Sequence, residues 1–417
     1  LLQRILRQRL PLEDAFDSGP SLKALAPRDR AFVRLLVATV LRRLGQIDAI
    51  VARCLERPLG AKAQAAQDIL RLGAAQLLYL DTPPHAAVDT SVDLAAEGAE
   101  TAGFKALINA VLRRIGREKP DLLAATAAPS INTPAWLWES WINAYGETRA
   151  RAIAQAHLRE PPLDFSVKSE PDAWASRLEA MVLPTGSLRR QETAPVESLT
   201  GFSDGAWWVQ DAAAALPVTL LGPVAGKTVI DLCAAPGGKT AQLASLGAAV
   251  TAVDRASKRL ERLTANLARL NLSAKTVTAD AAAWRPAAPA DALLLDAPCS
   301  ATGTIRRHPD VAWLKRPEDV AKLADLQARL LRAAVGMIRP GGTLIYCTCS
   351  LQPEEGPRQI AGLLTERAPV ERQPIAAAEV GGLVELVTAD GDLRTLPCHL
   401  ADQGGLDGFY AARLRRL

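Results

Sequence analysis

Apolar residues recur at intervals of three and four from the start of the chain to about residue 127, the spacing of one face of a helix. "RAFVRLLVATVLRRLGQIDAIVARCL" and "AKAQAAQDILRLGAAQLLYL" both read this way. "PPHAAVDTSVDLAAEGAE" opens on a proline pair suited to a turn and a helix entrance, and "GFKALINAVLRRIGREK" closes on a basic last turn. No strand-like alternation interrupts them, so an all-α bundle is expected over residues 1–127. Residues 128–134, "APSINTP", read as a Pro-containing linker. Over residues 135–203 the pattern is mixed. "AWLWESWINAYG" is helical, with Trp136, Trp138 and Trp141 as aromatic anchors, and "PPLDFSVKSE" is strand-like. A small α+β module is expected there. From residue 204 to 417, strand-like runs ("TVIDLCA", "AAVTAVD", "AKTVTAD", "ADALLLDAP", "GGTLIYCT") alternate with helical ones. That order implies an α/β Rossmann-like domain with a parallel, doubly wound sheet.

The chain of 417 residues is long enough for two or three domains. No apolar run approaches the roughly 18 residues of a membrane span, so no membrane partner is expected. The opening "LLQRILRQRLPLEDAF" has neither the apolar core nor the cleavage site of a secretory signal, and it lacks an initiator Met, so a few residues are expected to be missing. Six scattered cysteines form no disulfide framework, which makes a reducing, cytoplasmic setting the simplest expectation. They also lack the Cys and His pairs of a zinc site, so no metal is expected. The net charge of +4 permits a polyanionic partner without requiring one. Basic pairs at Arg42–Arg43, Arg113–Arg114, Arg189–Arg190, Arg306–Arg307 and Arg415–Arg416 are expected to be mostly solvated surface.

Candidate chemistry gathers at the ends of the expected strands. The first runs into "DLCAAPGGKT", a Gly-rich turn opening a helix, which is the geometry of a nucleotide-type cofactor site. Gly237 and Gly238 let the backbone approach a ligand, and the helix N-terminus offers N–H donors. The spacing is not that of a Walker phosphate loop. Asp254 ends the second strand, Asp280 the third and Asp296 the fourth. Each Asp alone is as readily a helix cap, but three at successive strand ends form a set. Carboxylates repel phosphate and suit a cation, which favours S-adenosylmethionine over NAD or ATP.

Cys299 in "DAPCSATGT" and the pair Cys347 and Cys349 in "YCTCS" follow strands expected to be neighbours, so Cys299 and one of the pair are expected to face one pocket. Two thiols, a carboxylate and a methyl donor suit methylation of a pyrimidine at carbon 5. Thiolate addition to carbon 6 turns the ring into an enamine able to attack the methyl group. A carboxylic acid near ring nitrogen 3 stabilises the adduct, and the second thiol helps to break it. The base must first leave its stack. This chemistry does not rank the cysteines, and in DNA cytosine methyltransferases the Pro-Cys residue attacks.

Taken together, "DLCAAPGGKT", Asp254, Asp280, "DAPCSATGT" with "RRHPD", "YCTCSLQPEE" and "DGFYAARL" resemble, in order and over nearly the whole chain, the RsmB (Fmu/Sun) branch of RNA cytosine-5 methyltransferases. "HAAVDTSVDLA" and "FKALINAVLRR" are similar to the NusB-type RNA-binding bundle of that branch. The resemblance implies a cofactor loop of Cys233, Ala234, Ala235, Pro236, Gly237, Gly238 and Lys239, completed by Asp254, Asp280 and Asp296. It implies Cys349 as nucleophile, Cys299 as the residue of product release, and Cys347 as packing. It implies S-adenosyl-L-methionine as cofactor, S-adenosyl-L-homocysteine as product and small-subunit (16S) ribosomal RNA as partner; a monomer is expected. Where the family's strand reads "LRVN", this chain has Phe165, Ser166, Val167 and Lys168, which leaves Lys168 to supply charge toward RNA. His308 is a further candidate for substrate contact. The alternatives are a tRNA cytosine-5 methyltransferase, disfavoured by the bundle, and a non-catalytic RNA-binding or antitermination factor, disfavoured by the intact cysteines and loop. An amino-directed enzyme would carry a D/N-P-P-Y-type motif instead of "DAPC".

Overall fold

The computed structural model describes residues 1–192 and 194–417, which divide into two compact units. One is helical and comprises Leu1–Arg159 with Ile305–Lys315; the other comprises Glu160–Thr304 with Arg316–Leu417. Among the described residues no helix is long and apolar enough to cross a membrane.

The helical unit is built from amphipathic helices, the longest being Pro27–Arg42, Gln64–Tyr79, Pro84–Glu97 and Lys105–Arg117. Pro27 and Pro84 stand at first helical positions, where the missing N–H costs nothing. Their apolar faces share one core, including Val40, Ile47, Leu70, Ala74, Ile108 and Leu112. The segment expected to be a linker is part of this body. Gly45 lets the chain at Ile131 lie on helix Leu44–Cys54, since a Cβ there would come 1.7 Å from the Ile131 carbonyl oxygen. Asn132 Oδ1 also accepts the Gln46 N–H at 2.9 Å. Helices Ala135–Tyr145 and Glu147–His157, expected to open the α+β module, belong to the helical unit as well. Of the three tryptophans, Trp141 is fully buried and meets His157 edge-on at 5.3 Å. Ile305–Lys315, expected in the last domain, is also built in here. Asp310 accepts the Leu12 N–H at 2.9 Å, and Trp313 Nε1 donates to the Leu41 carbonyl at 2.8 Å.

The second unit holds two sheets. The smaller has four antiparallel strands, β1 (Leu163–Val167), β2 (Met181–Val182), β3 (Leu188–Arg190) and β4 (Trp207–Val209), in the order β2-β3-β1-β4. The larger comprises β5 (Thr228–Leu232), β6 (Ala249–Asp254), β7 (Lys275–Thr278), β8 (Ala290–Asp296), β9 (Ile338–Thr348), β10 (Val370–Arg372), β11 (Leu393–Thr395) and β12 (Phe409–Arg416). Its order is β10-β12-β9-β8-β5-β6-β7, with β11 beside β12. β7, β6, β5, β8 and β9 are parallel, as expected; β12 pairs antiparallel with β9, so the sheet is mixed at that edge.

Both faces of the parallel strands are buried. Ile230, Leu232, Leu293, Leu295, Leu344 and Tyr346 pack on one side, and Val229, Ala292, Leu294, Ile345 and Cys347 on the other. Two buried faces are why "ALLL" in β8 is continuously apolar instead of alternating. Helix Pro317–Val335 covers the first face and helix Ala212–Thr219 the second.

The small sheet is tied into the unit by a fully buried ion pair. Arg189 donates to both carboxylate oxygens of Asp164 at 2.7 Å, and also to the carbonyls of Gln403 and Gly405 at 3.0 and 2.7 Å. Asp164 in turn accepts the Ala212 N–H at 3.0 Å. One member of the basic pair Arg189–Arg190 is therefore a core group and not a surface charge, and Arg306 is likewise buried. Removing one partner of such a pair strands the other charge. Arg189→Met is expected to lower the stability of this unit by about 3–5 kcal/mol, read from the shift of a urea denaturation midpoint.

Candidate active site

Strand β5 delivers the Gly-rich turn. Cys233 reverses the chain with φ at 62°. The Ala234 N–H then donates to the Val253 carbonyl at 3.1 Å, and the Ala235 N–H to Asp254 Oδ2 at 3.2 Å. After a cis Ala235–Pro236 bond, Gly237 adopts φ +104°, and a Cβ on it would stand 2.6 Å from Leu263 Cγ. Helix Gly238–Ser245 follows, its first N–H groups lacking intrahelical acceptors.

Parallel register gathers the acids. Asp231 pairs with Ala252 and with Leu294, and Asp296 pairs with Cys347. Two-residue alternation then sets Asp231, Asp254, Asp296 and Cys347 on one face of the sheet. Lys239 Nζ meets Asp296 Oδ2 at 2.8 Å and lies 5.0 Å from the Phe409 ring centroid. Burial opposes the lysine's charge, but Asp296 together with Cys347 and Cys349 outweighs it and raises the pKa. Asp254, buried, also accepts the Ala256 N–H at 2.9 Å at the entrance of helix Ser257–Arg269, and Arg259 stands 3.5 Å away. It thus holds the backbone just before the helix, whose N-cap is Ala256, and is a member of the acidic set. Asp280 is different: it lies two residues past β7, exposed, and accepts the Ala282 N–H at 2.9 Å. Asp231, to which no separate role was assigned from sequence, is fully buried. Thr240 donates to its Oδ2 at 2.6 Å, and Oδ1 has no hydrogen-bond partner among the described residues. Burial pushes its carboxyl up to about 7 despite the Thr240 bond.

The cysteines fall into two settings. Cys299, three residues past β8, and Cys349, one residue past β9, bring their Sγ atoms to 3.4 Å. The ladder between the strands continues beyond their ends, with Ala297 N–H donating to the Cys347 carbonyl at 2.9 Å and Gly303 N–H to the Cys349 carbonyl at 3.0 Å. Cys347 is still within β9, fully buried, its Sγ 3.6 Å from Asp296 Oδ1. So Cys349 is the member of the pair that meets Cys299, and Cys347 packs against the acid.

Two other candidates sit elsewhere. Lys168 Nζ donates to the Leu270 carbonyl at 2.9 Å, so its charge is engaged within the protein, while Phe165 is buried edge-on against Trp207. His308 lies in the segment built into the helical unit. Glu355, within "YCTCSLQPEE", is a residue the sequence did not single out; it is fully buried and accepts from Ser300 and Ser350, the serines that follow Cys299 and Cys349. Its signal was the motif itself, since a Glu three residues after a short loop is locally unremarkable.

The bond shared with Cys349, together with burial, holds the Cys299 thiol well above the ordinary range, and burial does the same for Cys347. A raised acid pKa means less thiolate at a given pH, so Cys299 stays neutral at pH 8. Its alkylation by iodoacetamide at pH 8 is expected to run at least about tenfold slower than that of an exposed cysteine, and to rise with pH beyond 9. Cys349→Ala removes the shared bond and should speed it up at pH 8. Peptide mass spectrometry of labelling time courses checks both.

Residues 218–415 match the family model described as 16S rRNA methyltransferase RsmB/F, and residues 1–117 match that of the NusB family. The chain is 38% identical over 429 aligned positions to the ribosomal RNA small subunit methyltransferase B of Salmonella arizonae, and 36% identical to that of Cronobacter sakazakii, covering in each case 97% of this chain and 96% of the relative. Its fold resembles the crystal structure of PH0851, with a TM-score of 0.78 at 21% identity over 100% of this chain and 97% of the other. With both segments matched and the similarity running almost end to end, the chain belongs to the RsmB/F family of 16S rRNA methyltransferases.

Proposed function

We propose that the protein transfers a methyl group from S-adenosyl-L-methionine to carbon 5 of a cytosine in small-subunit (16S) ribosomal RNA through a covalent adduct of Cys349 with carbon 6. The observation that carries this reading is the Cys299–Cys349 pair, 3.4 Å apart, beside the carboxylate-lined C-terminal edge of the sheet. A pair of thiols in reach of one carbon suits addition and elimination at a pyrimidine; simple methyl transfer to a nitrogen or oxygen needs neither.

The residues fit the methyl donor. Open parallel sheets take ligands beyond their strand ends at the point where strand order reverses, here between β5 and β8. Gly237 leaves no room for a side chain there. Asp231, Asp254 and Asp296 face a site whose buried cation is Lys239, a balance that favours a cationic ligand. Cys233 to Lys239 would line the donor, with Asp254 taking its ribose and Asp280 its adenine edge. When bound, the donor supplies an electrophilic methyl group on a cationic sulfur, and S-adenosyl-L-homocysteine is the product.

On this reading the target cytosine leaves its stack to enter the site. Cys349, deprotonated, adds Sγ to carbon 6, and carbon 5 becomes the nucleophile. Asp296, oriented by Lys239, stabilises the adduct at the ring's nitrogen 3 edge. After methylation a base from solvent takes the carbon 5 proton, the C–H electron pair re-forms the carbon 5–carbon 6 double bond, the carbon 6–sulfur bond breaks, and its electrons return to Cys349 Sγ. Cys299, sharing a hydrogen bond with that sulfur, assists this release.

The test mixes Cys299→Ala and Cys349→Ala variants with 16S RNA and S-adenosylmethionine, followed by a denaturing gel. An RNA–protein adduct is expected with Cys299→Ala alone, with turnover lowered about 10²–10⁴-fold, the range for loss of a proton-transfer group. An adduct only with Cys349→Ala would exchange the roles. No adduct with either, and no methyl transfer by the unaltered protein to RNA that it binds, would favour an RNA-binding factor; transfer to tRNA alone would favour the tRNA enzyme. Independently, Gly237→Ala should weaken S-adenosylmethionine binding about tenfold to a hundredfold by calorimetry, since overpacking of this kind costs about 1–3 kcal/mol.

A further inference from the structure

Glu355 closes a short 3-10 turn, Pro353–Glu355, and is fully buried. Its carboxylate collects four donors. Oε1 accepts the Ser300 N–H at 2.8 Å and Gln327 Nε2 at 3.2 Å; Oε2 accepts the hydroxyls of Ser300 and Ser350, both at 2.5 Å. Ser300 directly follows Cys299, and Ser350 directly follows Cys349. One carboxylate therefore holds the backbone or side chain of the residue next to each thiol, on two loops fifty positions apart.

The carboxylate is itself fixed. Tyr346 Oη and Thr348 Oγ1, both on β9, donate to the Glu355 carbonyl at 2.8 and 3.0 Å. Gln327 donates to the Pro298 carbonyl at 2.8 Å as well as to Glu355, so helix Pro317–Val335 braces the Cys299 loop from behind. Thr302 Oγ1 shares hydrogen bonds with the hydroxyls of Ser300 and Ser350, at 3.3 and 3.2 Å, and accepts the Leu351 N–H at 3.0 Å. A buried carboxylate is tolerated only when so many donors meet it, and in return it sets where those donors sit. Glu355 carries no hydrogen bond to either thiol among the described residues, so it acts through the two serines.

We propose that Glu355 is a positioning residue that sets the spacing of Cys299 and Cys349 by clasping Ser300 and Ser350. This rests on the two-thiol reading above for its catalytic meaning, but the spacing can be measured without catalysis. Phenylarsine oxide condenses with two neighbouring thiols, forming two arsenic–sulfur bonds and releasing one water. The unaltered protein is expected to take up one bridging phenylarsenic group, seen by intact mass, and Cys299→Ala and Cys349→Ala are expected to lose it.

In Glu355→Ala the rate of capture should fall at least tenfold, and kcat for methyl transfer should fall at least tenfold with S-adenosylmethionine affinity unchanged. Glu355→Gln should restore both to within about threefold: its carbonyl can take the Ser300 N–H, and its amide can donate to hydroxyls that rotate to accept. If Glu355→Ala does not fold, Glu355→Asp serves instead, because a carboxylate one methylene shorter cannot reach both serines and should lose capture by at least tenfold. Capture at the unaltered rate in a folded Glu355→Ala or Glu355→Asp protein would overturn the proposal. So would a folded Glu355→Gln as impaired as Glu355→Ala, since charge and not spacing would then matter. Should the protein prove not to methylate RNA, methylation is absent from the unaltered protein too, while the capture pattern still decides the role of Glu355.

Discussion

Asp296 and Cys347 are register partners at the ends of two parallel strands, and the arrangement of the site follows from that pairing. It ends β8 and β9 within one residue of each other, so the loops that leave them start side by side. The next groups along each chain are Cys299 and Cys349, and continued backbone bonding from Ala297 and Gly303 keeps the loops together past the strands. A shift of register by one residue would turn Asp296 to the opposite face and separate it from Lys239. The deep apolar packing on both faces is what makes such a shift costly.

The polar groups of the second unit are managed by one rule, which is to bury a charge only where several donors or a counter-charge converge. Asp164 has Arg189 and a backbone N–H, Asp296 has Lys239 and the Cys347 thiol, and Glu355 has four donors. Asp231 departs from it, with one oxygen unbonded and a carboxyl raised to about 7. Asp231 lies beside the Gly-rich turn, one residue before Leu232 at the end of β5.

The two thiols differ in setting although they touch. Cys299 is held neutral by its bond to Cys349 and by burial. In the proposed reaction this suits a group that donates a hydrogen bond to its partner's sulfur late, when that sulfur must break its bond to carbon. Cys347, which from sequence could share the face of Cys349, is instead sealed in the core because β9 continues through it to Thr348.

Much was legible in the chain itself. The helical spacing of the first 127 residues, the continuous apolar run of β8, the glycines of the turn and the acids at strand ends are all local signals, written within ten or twenty residues. They were enough for the fold class and for naming a set of candidate residues. What they could not carry was any relation that depends on a partner far along the chain. The segment around Ile131 reads as a linker because prolines and small polar residues look alike in a loose loop and in one pressed onto a helix; only Gly45, more than eighty positions earlier, shows which it is. Arg189 looks like a surface charge until Asp164 is placed beside it. The choice between Cys347 and Cys349 depended on where β9 ended, and the role of Glu355 on two loops meeting. Hydrophobic periodicity reports the environment of each position, whereas the pairing of buried polar groups is decided by the packing that brings them together, and that belongs to the tertiary structure alone.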